Sequence, residues 1–202
     1  MVADVHRSSP PIFFVADGYP GGTPAWVVRR AADLRRIYSN TEHFSVKGFS
    51  PLARMIGESW DLVPAEIDPP RHGQFRTLLN PLFTPVALKK LEGKVADVAR
   101  KLAEGLKGEK TVDFRAAFAV PFPVSIALDL LGLPLSRMDE FMRWEHGMLH
   151  DANVQNMMQA TRNVVGLLRE VIKERRSNPG DDLVSFALSC KIEDRLLSDD
   201  EL

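Results

Sequence analysis

One cysteine, Cys190, occurs in 202 residues. A single thiol excludes an internal disulfide and a cysteine-based zinc cage, and it accords with a reducing compartment. An excess of either charge is missing too. The formal net charge of −1 gives no bulk attraction to nucleic acid or to an anionic membrane, so neither is expected as a partner. One stretch could be mistaken for a membrane span, residues 116–135, AAFAVPFPVSIALDLLGLPL, but it is broken by Pro121, Pro123 and Pro134 and holds Asp129. Its uninterrupted piece, 124–133, would reach only ~15 Å as a helix, against a hydrocarbon core of ~30 Å. A short buried helix is the expectation. The first residues, MVADVHRSSPP, lack the apolar core of a signal peptide, and a soluble cytoplasmic protein is expected. No Gly-rich phosphate loop, nucleophile elbow or pair of catalytic carboxylates is present.

What is present suffices for one globular domain, with 45% hydrophobic residues to form a core. Ile12-Phe13-Phe14-Val15 and Ala25-Trp26-Val27-Val28, separated by a turn at Asp17-Gly18-Tyr19-Pro20-Gly21-Gly22, read as a β-hairpin. Everything after it reads as helix or irregular chain. A short helix is expected over 31–39, with Leu34, Ile37 and Tyr38 on one face. Residues 44–67 show no sustained period, and a long irregular segment in a compact domain is usually functional or mobile. Thr84-Pro85 opens a helix to about Leu106, with Leu88, Leu91, Val95, Val98, Leu102 and Leu106 as its apolar stripe. Residues 114–133 should form an internal helix. Further helices are expected over 136–150, 153–176 and 182–189, with a small turn structure over 191–197. Ser198 and Glu201 have capping-box spacing, the signature of another helix start.

The stretch with chemical promise is 67–88, IDPPRHGQFRTLLNPLFTPVAL. Asp68 is placed to cap a helix whose first residue is Pro69 and which Pro81 stops. His72 and Arg76, four apart, share a face near its start. A helix N-terminus favours anions, and Arg adds a planar fork suited to carboxylate or phosphate. Pattern alone leaves a surface pair as the commoner alternative. His146 and His150, also four apart and followed by Asp151, have weak metal-site spacing without the adjacent Glu of a zincin. Cys190, in SFALSCKIE, has no neighbouring His in sequence, and a buried or inert thiol is expected.

DPPRHGQFRTLLNPLFTP resembles the cytochrome P-450 family of haem-thiolate monooxygenases, above all its soluble bacterial, camphor-hydroxylase-like class. TEHFS at 41–45, FPVSIALDLLGLP at 122–134, NPGDDLVSFALS at 178–189 and LSDDEL at the end resemble family segments in the same order. The resemblance implies a mainly α fold with a small N-terminal β-hairpin, a partial cytochrome P-450 fold entered directly at the first strands. It implies that His72 and Arg76 donate to a haem propionate. It makes Phe49 and Trp60, on the segment over the pocket, candidates for contact with a small apolar substrate. The helices 137–150 and 153–176 resemble the mobile pair that lids this pocket. The implied reaction inserts one oxygen atom of O₂ into that substrate, with electrons from NAD(P)H through a reductase and a ferredoxin-type donor.

The family's thiolate ligand lies in a Gly- and Phe-containing loop near the end of the domain. Cys190 has none of that loop, so the iron-ligating cysteine is absent from this chain, as is the long central oxygen-activating helix. Residues 1–202 are therefore expected to form a single incomplete domain, without catalytic residues or activity of its own. The alternative is a stand-alone helical binding module that has lost iron chemistry.

Overall fold

The computed structural model describes residues 2–19 and 22–202. The chain divides into two compact units, Met1–Val46 and Lys47–Leu202. In the first, α1 (Val2–Ser8) precedes strands β1 (Ile12–Tyr19) and β2 (Thr23–Val28), and α2 (Ala31–Ser39) follows. The expectation that the chain enters at the strands is corrected by α1. The strands pair antiparallel with Phe14 opposite Trp26, whose rings meet edge to face at 5.4 Å. β1 runs on to Tyr19, into the residues expected to turn, because the register shifts between Val15 and Tyr19 and pairing resumes at Tyr19–Thr23. The expected turn residues Pro20 and Gly21 lie outside the described residues. Arg29 fastens the hairpin's base, its Nε donating to the Pro10 carbonyl at 2.9 Å and Nη2 to that of Ser9. On α2, Leu34 and Ile37 are half-buried as their shared face requires, while Tyr38 is exposed.

The second unit opens with the irregular segment, relieved only by a short helix, α3 (Leu52–Met55). Then come α4 (Arg71–Leu79), a 3-10 turn (Asn80–Phe83) and α5 (Pro85–Glu104). Asp68 does not cap α4, which begins two residues later than its sequence suggests. The reason lies in the double proline: a residue before Pro is steered out of the helical region, so Pro69 cannot serve as first helical residue ahead of Pro70. Pro81 ends α4 as expected, but the chain tightens into the 3-10 turn instead of leaving the helical direction. Thr84 caps α5 by accepting the Ala87 N–H at 3.3 Å.

The expected single helix over 114–133 is two pieces, a π-helical turn (Arg115–Ala119) and α6 (Pro121–Leu130). Pro121 separates them, since it brings no N–H and is favoured at a first helical position. Only α6 is internal, through Ser125 and Leu128, whereas Phe114 is exposed. A 3-10 turn (Leu135–Arg137), α7 (Met138–Leu149), α8 (Val154–Ser177) and α9 (Leu183–Ser189) complete the helices. Strands β3 (Lys191–Ile192) and β4 (Arg195–Leu196) form the small hairpin. Mainly helical chain with one N-terminal hairpin is thus observed.

Two apolar clusters hold this unit. Leu167, Val171 and Ile172 of α8 meet Val184 of α9, flanked by Leu131, Phe141 and Trp144. Ile67, Phe75 and Ile192 form the other, flanked by Val63, Leu78 and Leu197. The second cluster is what positions α4. α7 and α8 approach closely at Gly147, where an added Cβ would stand 2.9 Å from that of Ala160.

Candidate functional site

α4 turns one face to the core. Phe75, 3% exposed, and Leu78 pack against Ile67, Ile192 and Leu197. One turn earlier on this face, the Arg71 guanidinium lies 5.5 Å from the Phe75 ring centroid and donates to Glu201 Oε1 at 3.0 Å. Beside it, Gln74 donates to Glu193 at 2.8 Å. At 100° per residue this arrangement leaves His72 and Arg76 together on the flank of the helix. His72 is half-buried and Arg76 exposed. Among the described residues neither side chain has a hydrogen-bond or ion-pair partner. Gly73, on the outward side, has nothing within 4 Å of an added Cβ. An imidazole and a guanidinium thus stand one turn apart on one flank of α4, N–H donors suited to a planar anion.

The irregular segment is shaped by a residue that sequence reasoning missed. Glu66, 3% exposed, accepts the Ser50 N–H and the Leu62 N–H, both at 3.1 Å, with Arg54 Nη2 3.8 Å away. One buried carboxylate thereby ties backbone on both sides of Trp60. Burying a charge is tolerable only when its lone pairs are met by donors, as they are here. No periodicity announces such a residue.

Trp60 lines an open cleft of about 210 Å³. Its walls are mostly apolar: Leu62, Val63, Met148, Val164 and Leu168, with Asp61 and Glu201 at the polar end. Asp61 and Glu201 both contact Arg71, at 3.5 and 3.0 Å, so the start of α4 adjoins the cleft. Phe49 is 50% exposed and does not line it. α7 and α8 supply one wall, through Met148 and through Val164 and Leu168. Arg169 of that wall forms a two-pronged bond with Glu58 at 2.8 and 2.9 Å, linking α8 to the irregular segment. The Arg169 guanidinium beside it holds the Glu58 carboxyl below its ordinary range.

The remaining sequence candidates fall elsewhere. The rings of His146 and His150 are 5.7 Å apart, but His150 Nε2 meets Glu145 at 3.3 Å. Asp151 is occupied as a turn cap, accepting the Asn153 N–H and the Asn156 amide, both at 2.8 Å. Among the described residues no three His, Cys, Asp or Glu side chains come together as metal ligands. Cys190 sits half-buried after α9, and burial pushes its thiol up. Among the described residues no helix is long and apolar enough to cross a membrane.

No family model matches this chain. Individual relatives do. A probable cytochrome P-450 of Sinorhizobium fredii is 39% identical over all of this chain and 48% of its own length. Erythromycin C-12 hydroxylase of Saccharopolyspora erythraea is 33% identical over 87% of this chain and 45% of its own length. Among solved structures, a cytochrome P-450 of Chondromyces apiculatus superposes with a TM-score of 0.73 at 31% identity, over 98% of this chain and 50% of that one. The chain spans about half the length of the curated relatives it matches.

Proposed function

This chain is the counterpart of the N-terminal half of cytochrome P-450 proteins, and from that premise we propose that it supplies the haem-carboxylate grip and the substrate cleft of a haem-dependent monooxygenase. The observation that carries the reading is the His72–Arg76 pair, two donors on an open helix face with no partner among the described residues. Their chemistry fits the propionates of haem: a planar guanidinium and an imidazole, one turn apart, for a planar anion. When bound, haem with a thiolate ligand supplies O₂ activation, the thiolate pushing electron density onto iron. Cys190, half-buried after α9 and outside any Gly- and Phe-containing loop, is not that ligand, and the 202 residues contribute binding and orientation without the iron chemistry.

Trp60 bears on a small apolar substrate in the cleft, which Phe49 does not line. α7 and α8 cover the cleft and exclude water while it is filled. The two units act as parts of one incomplete domain. Electrons come from NAD(P)H through a reductase and a ferredoxin-type donor, in the cytoplasm. The substrate is the insertion site for one oxygen atom of O₂.

The test uses the gene product expressed from its native start to its native stop and loaded with haem. His72→Ala and Arg76→Ala are each expected to speed haem transfer to apomyoglobin by about tenfold, the loss of one charge-assisted bond. Unchanged transfer in both variants overturns the assignment. Genomic sequence beyond the Leu202 codon separates the two classes of function. An in-frame Gly- and Phe-containing loop with a cysteine accords with the monooxygenase, and an immediate stop with the stand-alone binding module.

A further inference from the structure

α4 is fastened along one arc, residues 71, 74, 75 and 78. The apolar contacts of Phe75 and Leu78 are non-directional, so they set which face is buried and how deeply the helix sits, and fix its exact rotation less tightly. Direction comes from the polar ties on either side. Gln74 is held by Glu193, in the β3–β4 turn, where Glu193 and Asp194 take successive φ of 52° and 63°, the paired left-handed residues of a tight hairpin. Arg71 is held by Glu201. That carboxylate is only 5% exposed and is met by four N–H donors. Arg195 of β4 gives two, at 2.6 and 2.8 Å, Arg71 one at 3.0 Å and the Ser198 backbone one at 2.9 Å. A carboxylate saturated in this way has a fixed orientation and imposes it on Arg71. The stakes are geometric. Rotating a helix by about 20° carries a side-chain tip on the order of 2 Å, more than a hydrogen bond tolerates.

We propose that Glu201, acting through Arg71, is a positioning residue for the His72–Arg76 anion site: the Arg195–Glu201–Arg71 chain sets the rotation of α4 and thereby aims both donors at one carboxylate-bearing ligand. This rests on the haem-carboxylate reading of that pair. Glu201 touches neither the ligand nor the two donors; it holds the neighbouring, core-facing arc of their helix through Arg71, 130 residues away in sequence.

The experiment compares haem with haem dimethyl ester, whose carboxylates are masked, in the gene product from native start to native stop. Release of each porphyrin to apomyoglobin is timed, with far-UV circular dichroism checking the fold. The unaltered protein is expected to hold haem at least about tenfold longer than the ester. Glu201→Gln shortens haem retention by about tenfold and leaves the ester within about twofold, so discrimination collapses while apolar binding persists. Arg71→Gln does the same, and the pair together adds nothing further, as members of one chain should. If Glu201→Gln does not fold, Arg71→Lys, which keeps the charge and loses the fork, is expected to fall between the unaltered protein and Arg71→Gln. An unaltered protein that binds neither porphyrin, or releases both at one rate, overturns the anion site and this proposal with it. One that discriminates equally well with and without Glu201 and Arg71 overturns only the proposal, as does equal loss of both porphyrins.

Discussion

Gly132 is where a single atom would matter most. It adopts φ 67° at the end of α6, and a Cβ there would meet the Asp182 carboxylate and, at 2.9 Å, Arg175 Nη2. Those two groups form the most buried ion pair of the second unit, Arg175 Nε to Asp182 Oδ2 at 2.5 Å, with side chains 13% and 3% exposed. Asp182 also caps α9 by accepting the Ser185 N–H at 2.8 Å, and Arg175 donates to the Gly132 carbonyl at 3.1 Å. One residue thus gives three elements room to meet. Gly132→Ala is expected to lower unfolding free energy by about 2 kcal/mol in urea titration, from the left-handed backbone and the displaced pair together. A change of less than about 0.5 kcal/mol would show that the pair shifts aside without cost. The exposed Arg169–Glu58 bond, for all its good geometry, should contribute far less to stability, because solvent screens it.

At the scale of elements, the legible features were those written in adjacent residues. Thr84-Pro85 announces α5, and the hydroxyl of Thr84 does cap it. Thr84→Ala should therefore cost about 1 kcal/mol, and Thr84→Ser should restore most of it in the same denaturation assay. Asn153 and Asp182 likewise open α8 and α9 with side-chain caps, and the amphipathic period of α8 marks its buried face. α4 was legible as a helix, as were the two donors on its flank. Its start was not, because Asp68-Pro69 is a good cap pattern until the second proline is weighed. Harder still were Glu66 and Glu201. A buried carboxylate looks in sequence like any surface acid, and its partners lie at long separations: Ser50 for one, Arg71 for the other. The capping-box spacing of Ser198 and Glu201 was visible, and the Glu201 carboxylate does take the Ser198 N–H. That it also takes two arginines is a tertiary fact. Sequence therefore placed His72 and Arg76 on one flank of a helix and was silent on the Arg195–Glu201–Arg71 chain that holds the same helix.

At the scale of the molecule, two carboxylates with buried side chains, Glu201 and Asp182, shape the response to acid. Glu201 lies well below the ordinary Glu value of 4.5, held there first by Arg195, against the cost of burial, and then by the Ser198 N–H and Arg71. For Asp182, burial is the largest influence and pushes upward, but the Ser185 N–H and the Arg175 guanidinium together leave it below its ordinary 3.8. A group whose folded pKa is depressed lends stability that is complete above its unfolded pKa and is lost as pH falls toward the folded one. Both therefore act in the same direction, and stability should decline progressively once the pH drops below about 4.5. Cys190 acts at the other end. Burial raises its thiol above the ordinary 9.0, so the fold favours the neutral form and loses stability as pH rises through that range. Urea denaturation from about pH 7 to about pH 3 should show the acid limb, and Glu201→Gln with Asp182→Asn should flatten it while lowering stability at neutral pH. Retention of the full acid limb in the double variant would place its origin elsewhere, among the exposed pairs that solvent already screens.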